Sequence, residues 1–145
     1  MFAALITFIL LGFINSQAAV PNAVDRITIQ LLNSRNGRPI LTQDVQVVID
    51  HDLKHIYYAH TDQNGVATVE VPTGAMQVSV FAQQGGWGLN RCDSRETPMP
   101  QYFLEQIRLN GLAAPNYCNH RTATAVPGEL VVFFRSQTFW EKMKV

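Results

Sequence analysis

Ile56-Tyr-Tyr-Ala-His-Thr61 runs through Asp62-Gln-Asn-Gly65 into Val66-Ala-Thr-Val-Glu-Val71, and the reading of this stretch decides the fold. Both flanks are rich in β-branched and aromatic residues, and apolar side chains alternate with polar ones in the second, the period of a half-buried strand. Asn64-Gly65 tolerates the positive φ of a tight turn, so the stretch predicts two strands joined as a hairpin. The same pattern recurs on either side. Arg26-Ile-Thr-Ile-Gln-Leu31 alternates, and Asn33-Ser-Arg-Asn-Gly-Arg-Pro39 breaks it. Asp44-Val-Gln-Val-Val-Ile-Asp50 puts Val45, Val47 and Ile49 on one face. Pro72-Thr-Gly74 turns the chain into Gln77-Val-Ser-Val-Phe-Ala82. After a loose stretch from Gln83 to Pro100, Gln101 to Leu109 reads as a sixth strand, with a short helix as the alternative, and Glu129-Leu-Val-Val-Phe-Phe-Arg135 as a seventh, whose unbroken apolar run predicts burial on both faces. Seven short strands with turns at this spacing predict an all-β, antiparallel β-sandwich over residues 25–137, followed by a tail at 138–145.

The sequence begins differently. All eleven acids and all eleven bases of the 145-residue chain lie after Val24, and Phe2 to Ile14 is apolar except for Thr7. That run matches a signal-peptide core of about 7 to 15 residues better than a spanning helix of roughly 20. Ser16-Gln-Ala18 places small residues before a cut, so residues 1–18 are expected to be a leader of a secreted or periplasmic protein. A short uncleaved anchor is the alternative, because the first residues carry no Lys or Arg. With the leader removed, no integral membrane span is expected. In an oxidising compartment Cys92 and Cys118 are expected to pair, tying two irregular loops together and adding about 3.5 kcal/mol by loop entropy. No Asn-x-Ser/Thr acceptor occurs, so N-glycosylation is not expected.

A net charge of zero argues against a nucleic-acid partner reached by phosphate neutralisation. His51, His55 and His60 are the most chemical-looking cluster, yet their spacing enters a strand, where His55 and His60 face opposite ways. No metal ligand set is assigned to them. Asp62 to Gly65 lacks the further oxygens and late Glu of a calcium loop, and no Gly-x-Ser-x-Gly elbow or distinct carboxylate pair occurs. A catalytic thiol at Cys118-Asn-His120 conflicts with the expected disulfide. No catalytic residue and no cofactor is expected.

Gly37-Arg-Pro-Ile40, Asp44-Val-Gln-Val47, Thr61-Asp-Gln-Asn-Gly-Val66, Val71-Pro-Thr-Gly74 and Gln77-Val-Ser-Val80 together resemble the carboxypeptidase regulatory-like domains of the transthyretin-like (prealbumin-like) sandwiches. The resemblance covers about Ile27 to Ala82 and implies a non-catalytic module attached to varied partners. Binding is expected to fall to aromatic residues. Trp87 lies between glycines in a surface loop, where an indole either stacks on a sugar or partner surface or folds back over the sandwich end. Tyr57 and Tyr58 stand as its companions, and Trp140 raises the same question in the tail. The expected partner is an extracytoplasmic protein, with a glycan held by Trp87 as the alternative.

Overall fold

A computed structural model of the chain describes residues 25–84, 87–95, 99–138, 141 and 143. The expected leader at residues 1–18 lies outside the described residues. The elements are β1 (Asp25–Asn33), β2 (Asp44–Ile49), β3 (Ile56–His60), β4 (Val66–Val71), β5 (Gln77–Gln84), β6 (Trp87–Arg91), β7 (Tyr102–Phe103), α1 (Leu104–Asn110), β8 (Leu112–Ala113) and β9 (Glu129–Ser136). They build two sheets. One orders β4-β1-β9-β6, with β8 also on β9; the other orders β3-β2-β5, with β7 on β5. β6 bonds to both β5 and β9, so it joins the sheets along one side.

The alternation foreseen from sequence fills the space between the sheets. Ile27, Ile29 and Leu31 of β1 meet Val45 and Val47 of β2, Val78 and Val80 of β5 and Leu130, Val132 and Phe134 of β9 in one buried cluster. The other face of β9 is also covered. Val131 and Phe133 pack with Leu32 and Cys92 under Ala113, Ala123 and Ala125, so the segment after α1 forms a second layer outside the sheet. Cys92 and Cys118 are disulfide-bonded, with a Cα–Cα distance of 5.2 Å, and hold that layer in place. Backbone bonds from Ala114 N–H to Val131 O and from Tyr117 N–H to Cys92 O reinforce it.

Three sequence expectations change. Asp62-Gln-Asn-Gly65 does not close a hairpin, because β3 pairs with β2 and β4 pairs with β1. It is a corner between sheets. Asp62 Oδ1 accepts the Asn64 and Val66 N–H groups, and Gly65 at φ 73° lies so close to Pro39 that a Cβ there would meet the proline Cβ at 2.7 Å. Thr61 is fully buried beside it; its hydroxyl donates to Ile40 O and accepts from Gln43 N–H. Second, residues 101–109 divide into β7 and the helix α1. Leu104 and Ile107, three apart, are its buried pair, while Arg108 pairs with Asp25 and Gly111 ends the helix. Seven residues give the 3.6 period too little length to show, so the segment passed for a strand. Third, β9 runs parallel to β1 and to β8, so the sheets are not wholly antiparallel. Parallel neighbours need a long connection, and the chain from β1 to β9 supplies it.

A buried polar cluster fastens the loop after β6. Arg91 Nε stands 3.2 Å from Asp93 Oδ1, and the Tyr102 hydroxyl donates to Asp93 Oδ2 at 2.6 Å. The Arg91 guanidinium also lies over the Phe81 ring at 5.1 Å. Burial, then the bond to Asp93, raises the Tyr102 phenol pKa above its usual 10.0. The folded chain therefore holds that proton more tightly than the unfolded chain, and the stability this supplies is complete below pH 10 and falls above it. Thermal melts are expected to show that alkaline fall, and Tyr102→Phe to flatten it while lowering the neutral-pH melting temperature; parallel curves above pH 10 would refute the assignment.

Gly111, at φ 72° and ψ 159°, sits in a region of backbone space reserved for glycine, and a Cβ there would meet Val126 O at 2.3 Å. Gly111→Ala is expected to cost about 1–3 kcal/mol or more, read as a lower urea midpoint with an unchanged slope.

Candidate functional site

The turn from β2 to β3 and the turn from β4 to β5 face one another and enclose a cleft of about 280 Å³, lined by Asp50, Asp52, His55, Tyr57 and Thr73. Asp50 and His51 both take positive φ, 48° and 61°, a conformation that Asp and His tolerate better than most residues. Asp50 has a structural use. Its Oδ1 accepts the Met76 and Gln77 N–H groups at 3.0 and 2.8 Å, so one carboxylate locks the two turns together. Asp52 Oδ2 lies 2.6 Å from His55 Nδ1, and Asp52 also accepts the Lys54 N–H. The His55 bond, then the Lys54 bond, holds the Asp52 carboxyl below its ordinary pKa.

At the other end of β3, His60 Nδ1 lies 2.9 Å from Asp44 Oδ1 across the strand pair. The three histidines of the sequence cluster thus go separate ways, and no group of three His, Cys, Asp or Glu side chains converges among the described residues. Between these two Asp-His pairs runs β3 itself. Among the described strands it is the last of its sheet and pairs with β2 alone. Tyr57 turns inward, half-buried against the core, whereas Tyr58 turns outward and is 72% exposed. The two tyrosines therefore serve opposite faces. The stretch read from sequence as a loop from Gln83 to Pro100 contains the strand β6, so the Trp87 backbone begins a strand, three strand positions from β3 and about 14 Å away. The Trp87 side chain and the whole of Trp140 lie outside the described residues.

No known protein family matches this chain. The same holds for curated proteins and for solved structures. The chemistry of the surface carries the functional reading. The stretch from Asp44 to Glu70 holds five acids and a single Lys or Arg, Lys54, whereas the chain after Glu70 mixes seven Lys and Arg with five acids. A net charge of zero hides this local excess of acid. Arg95 and Arg121 lie far apart in the chain and meet at the disulfide-held turn, so no local pattern marks them.

Asp50→Ala removes the acceptor shared by two backbone N–H groups and places alanine at φ 48°. The expected loss is about 1–3 kcal/mol in chemical denaturation, with Asp50→Asn losing less because an amide oxygen still accepts and Asn tolerates that φ. Equal losses for the two variants would show that the carboxylate charge, not the acceptor, holds the turns.

Proposed function

We propose that this protein is an exported, non-catalytic β-sandwich module that binds another protein along β3. The observation that carries this reading is the free edge of β3. The strand Ile56–His60 contains no Lys and no Pro, the residues that commonly protect an edge from pairing, and its outward side chain Tyr58 is a large exposed aromatic. An extended segment of a partner can add to such an edge through backbone hydrogen bonds, with side-chain pockets giving specificity.

The acids give the partner its character. Asp44 stands at one end of β3, and Asp50 and Asp52 stand at the other, beside the cleft. A five-residue strand is about 17 Å long, so the fitting segment is extended and carries basic side chains at both ends of such a run. Asp44 and Asp52 each face a histidine but stay exposed, which leaves their charge open to a basic partner. The turns that carry the resemblance to carboxypeptidase regulatory-like domains support the same kind of module. Gly37 to Pro39 and Thr61 to Gly65 meet in one corner, and their residues serve folding. The disulfide is compatible with export, and no helix among the described residues is long and apolar enough to cross a membrane.

Fluorescence polarisation with peptides of alternating Thr and Val tests this, one flanked by Lys and one by Glu. The Lys-flanked peptide is expected to bind at least tenfold more tightly, and Tyr58→Lys to abolish that binding with little change in melting temperature. Equal binding of both peptides, or unchanged binding by Tyr58→Lys, would overturn the reading.

A further inference from the structure

We infer that the disulfide-held turn around Cys118 is a second binding site, for an acidic polysaccharide bearing carboxylate or sulfate groups. On one side of Cys118 lies a recess of about 410 Å³ lined by Arg95, Asn116, Tyr117, Asn119, His120 and Arg121. On the other side a recess of about 370 Å³ includes Arg35 and shares Cys118 and Asn119 with the first. Among the described residues no carboxylate lines either recess. Arg35, Arg95 and Arg121 are exposed and form no ion pair with any described residue. Each of the other described arginines except Arg38 does have an acidic partner, so unpaired guanidinium charge is concentrated here.

The groups are also positioned. Arg121 donates from Nε to Arg35 O at 2.9 Å, which fixes the head group. The Arg95 guanidinium stands 5.1 Å over the Tyr117 ring. Asn116 is anchored through Nδ2 to Ser34 O, while its buried Oδ1 has no hydrogen-bond partner. The disulfide and the Tyr117 N–H bond to Cys92 O hold the turn that presents these side chains.

The chemistry selects a sugar polymer. Guanidinium forks pair with carboxylate or sulfate oxygens, amides bond hydroxyls, and a half-exposed phenol ring stacks on a sugar face. Two adjoining recesses across one turn suit repeated anionic units. Neither recess is lined by a large aliphatic side chain that could enter a bilayer, and Tyr117 and His120 are the aromatic rings among their described lining residues, too few to stack a run of successive bases. Arg135 also lines the second recess, but its guanidinium is held by Glu141, as that of Arg91 is by Asp93.

This site is independent of the β3 reading, and the experiment keeps the two apart. Binding of the purified protein would be measured to dextran sulfate and polygalacturonate, to dextran and methyl-esterified pectin as uncharged counterparts, and to phosphatidylglycerol vesicles and single-stranded DNA. The charged polysaccharides are expected to bind at least tenfold more tightly than the uncharged polymers, the vesicles or the DNA, with affinity falling as salt rises. The double variant Arg95→Ala/Arg121→Ala is expected to lose at least tenfold and Tyr117→Ala severalfold, with melting temperatures near that of the parent. Tyr58→Lys is expected to leave polysaccharide binding unchanged. Equal binding of charged and uncharged polymers, tighter binding of vesicles or DNA, no polysaccharide binding, or full binding by the double arginine variant would each overturn the proposal.

Discussion

A single strand with apolar side chains on both faces sets the terms for this fold. Leu130, Val132 and Phe134 of β9 fill the space between the two sheets, and Val131 and Phe133 point the other way. One face can be buried by the opposite sheet, but the other needs a cover of its own. Leaving two such side chains in water would forfeit about 1.5–3 kcal/mol each, so the chain folds the segment after α1 back over the sheet. Against Val131 and Phe133 that segment sets only the small side chains of Ala113, Ala123 and Ala125, which give it a thin grip. The disulfide supplies the missing restraint by fixing Cys118 to the buried Cys92. The surface that results is a polar turn of fixed shape, and its arginines are carried on the outside of that cover.

The opposite sheet is organised around a corner. Thr61, Gly65, Pro39 and Ile40 meet where the chain leaves one sheet for the other, with the Thr61 hydroxyl both donating and accepting. Beyond this corner β3 is left at the margin of its sheet, with Asp44 at one end and Asp50 and Asp52 at the other. The basic residues of the disulfide layer lie elsewhere. One neutral chain thereby offers two surfaces of opposite sign. Fields of this kind act locally, since salt screens exposed charges beyond about 8–10 Å. The two proposed partners, each facing its own surface, are therefore selected separately.

Much of the fold was legible from the chain alone. The strands at 26–31, 44–50, 66–71, 77–82 and 129–135 show alternation or a continuous apolar run, and burial of one or two faces leaves that trace in sequence. The cysteine pairing was legible because two cysteines allow one intramolecular pairing. The corner at Asp62 to Gly65 was read as a hairpin because Asn-Gly serves any tight turn; the close approach of Pro39, which demands Gly65, is a long-range contact. The parallel pairing of β1 with β9 likewise joins residues a hundred positions apart, as in Thr28 opposite Glu129. The candidate sites were the least legible. The sequence offered Tyr57 or Tyr58 as a neighbour of Trp87 without telling the two apart; strand alternation turns Tyr58 outward and Tyr57 inward, and Arg35, Arg95 and Arg121 carried no local pattern.

The claim on which the structure hangs is that the disulfide-held layer is a distinct cover over the outer face of β9. Native-state hydrogen exchange on the Cys92→Ala/Cys118→Ala variant measures this directly. The Ala114 and Tyr117 amides, bonded to Val131 O and Cys92 O, should lose protection by local opening, while the amides of Ile29, Val47 and Val80 in the inner core stay protected. If Ala114 and Tyr117 kept the protection they have in the disulfide-bonded protein, the layer would owe nothing to the disulfide and the account would be contradicted.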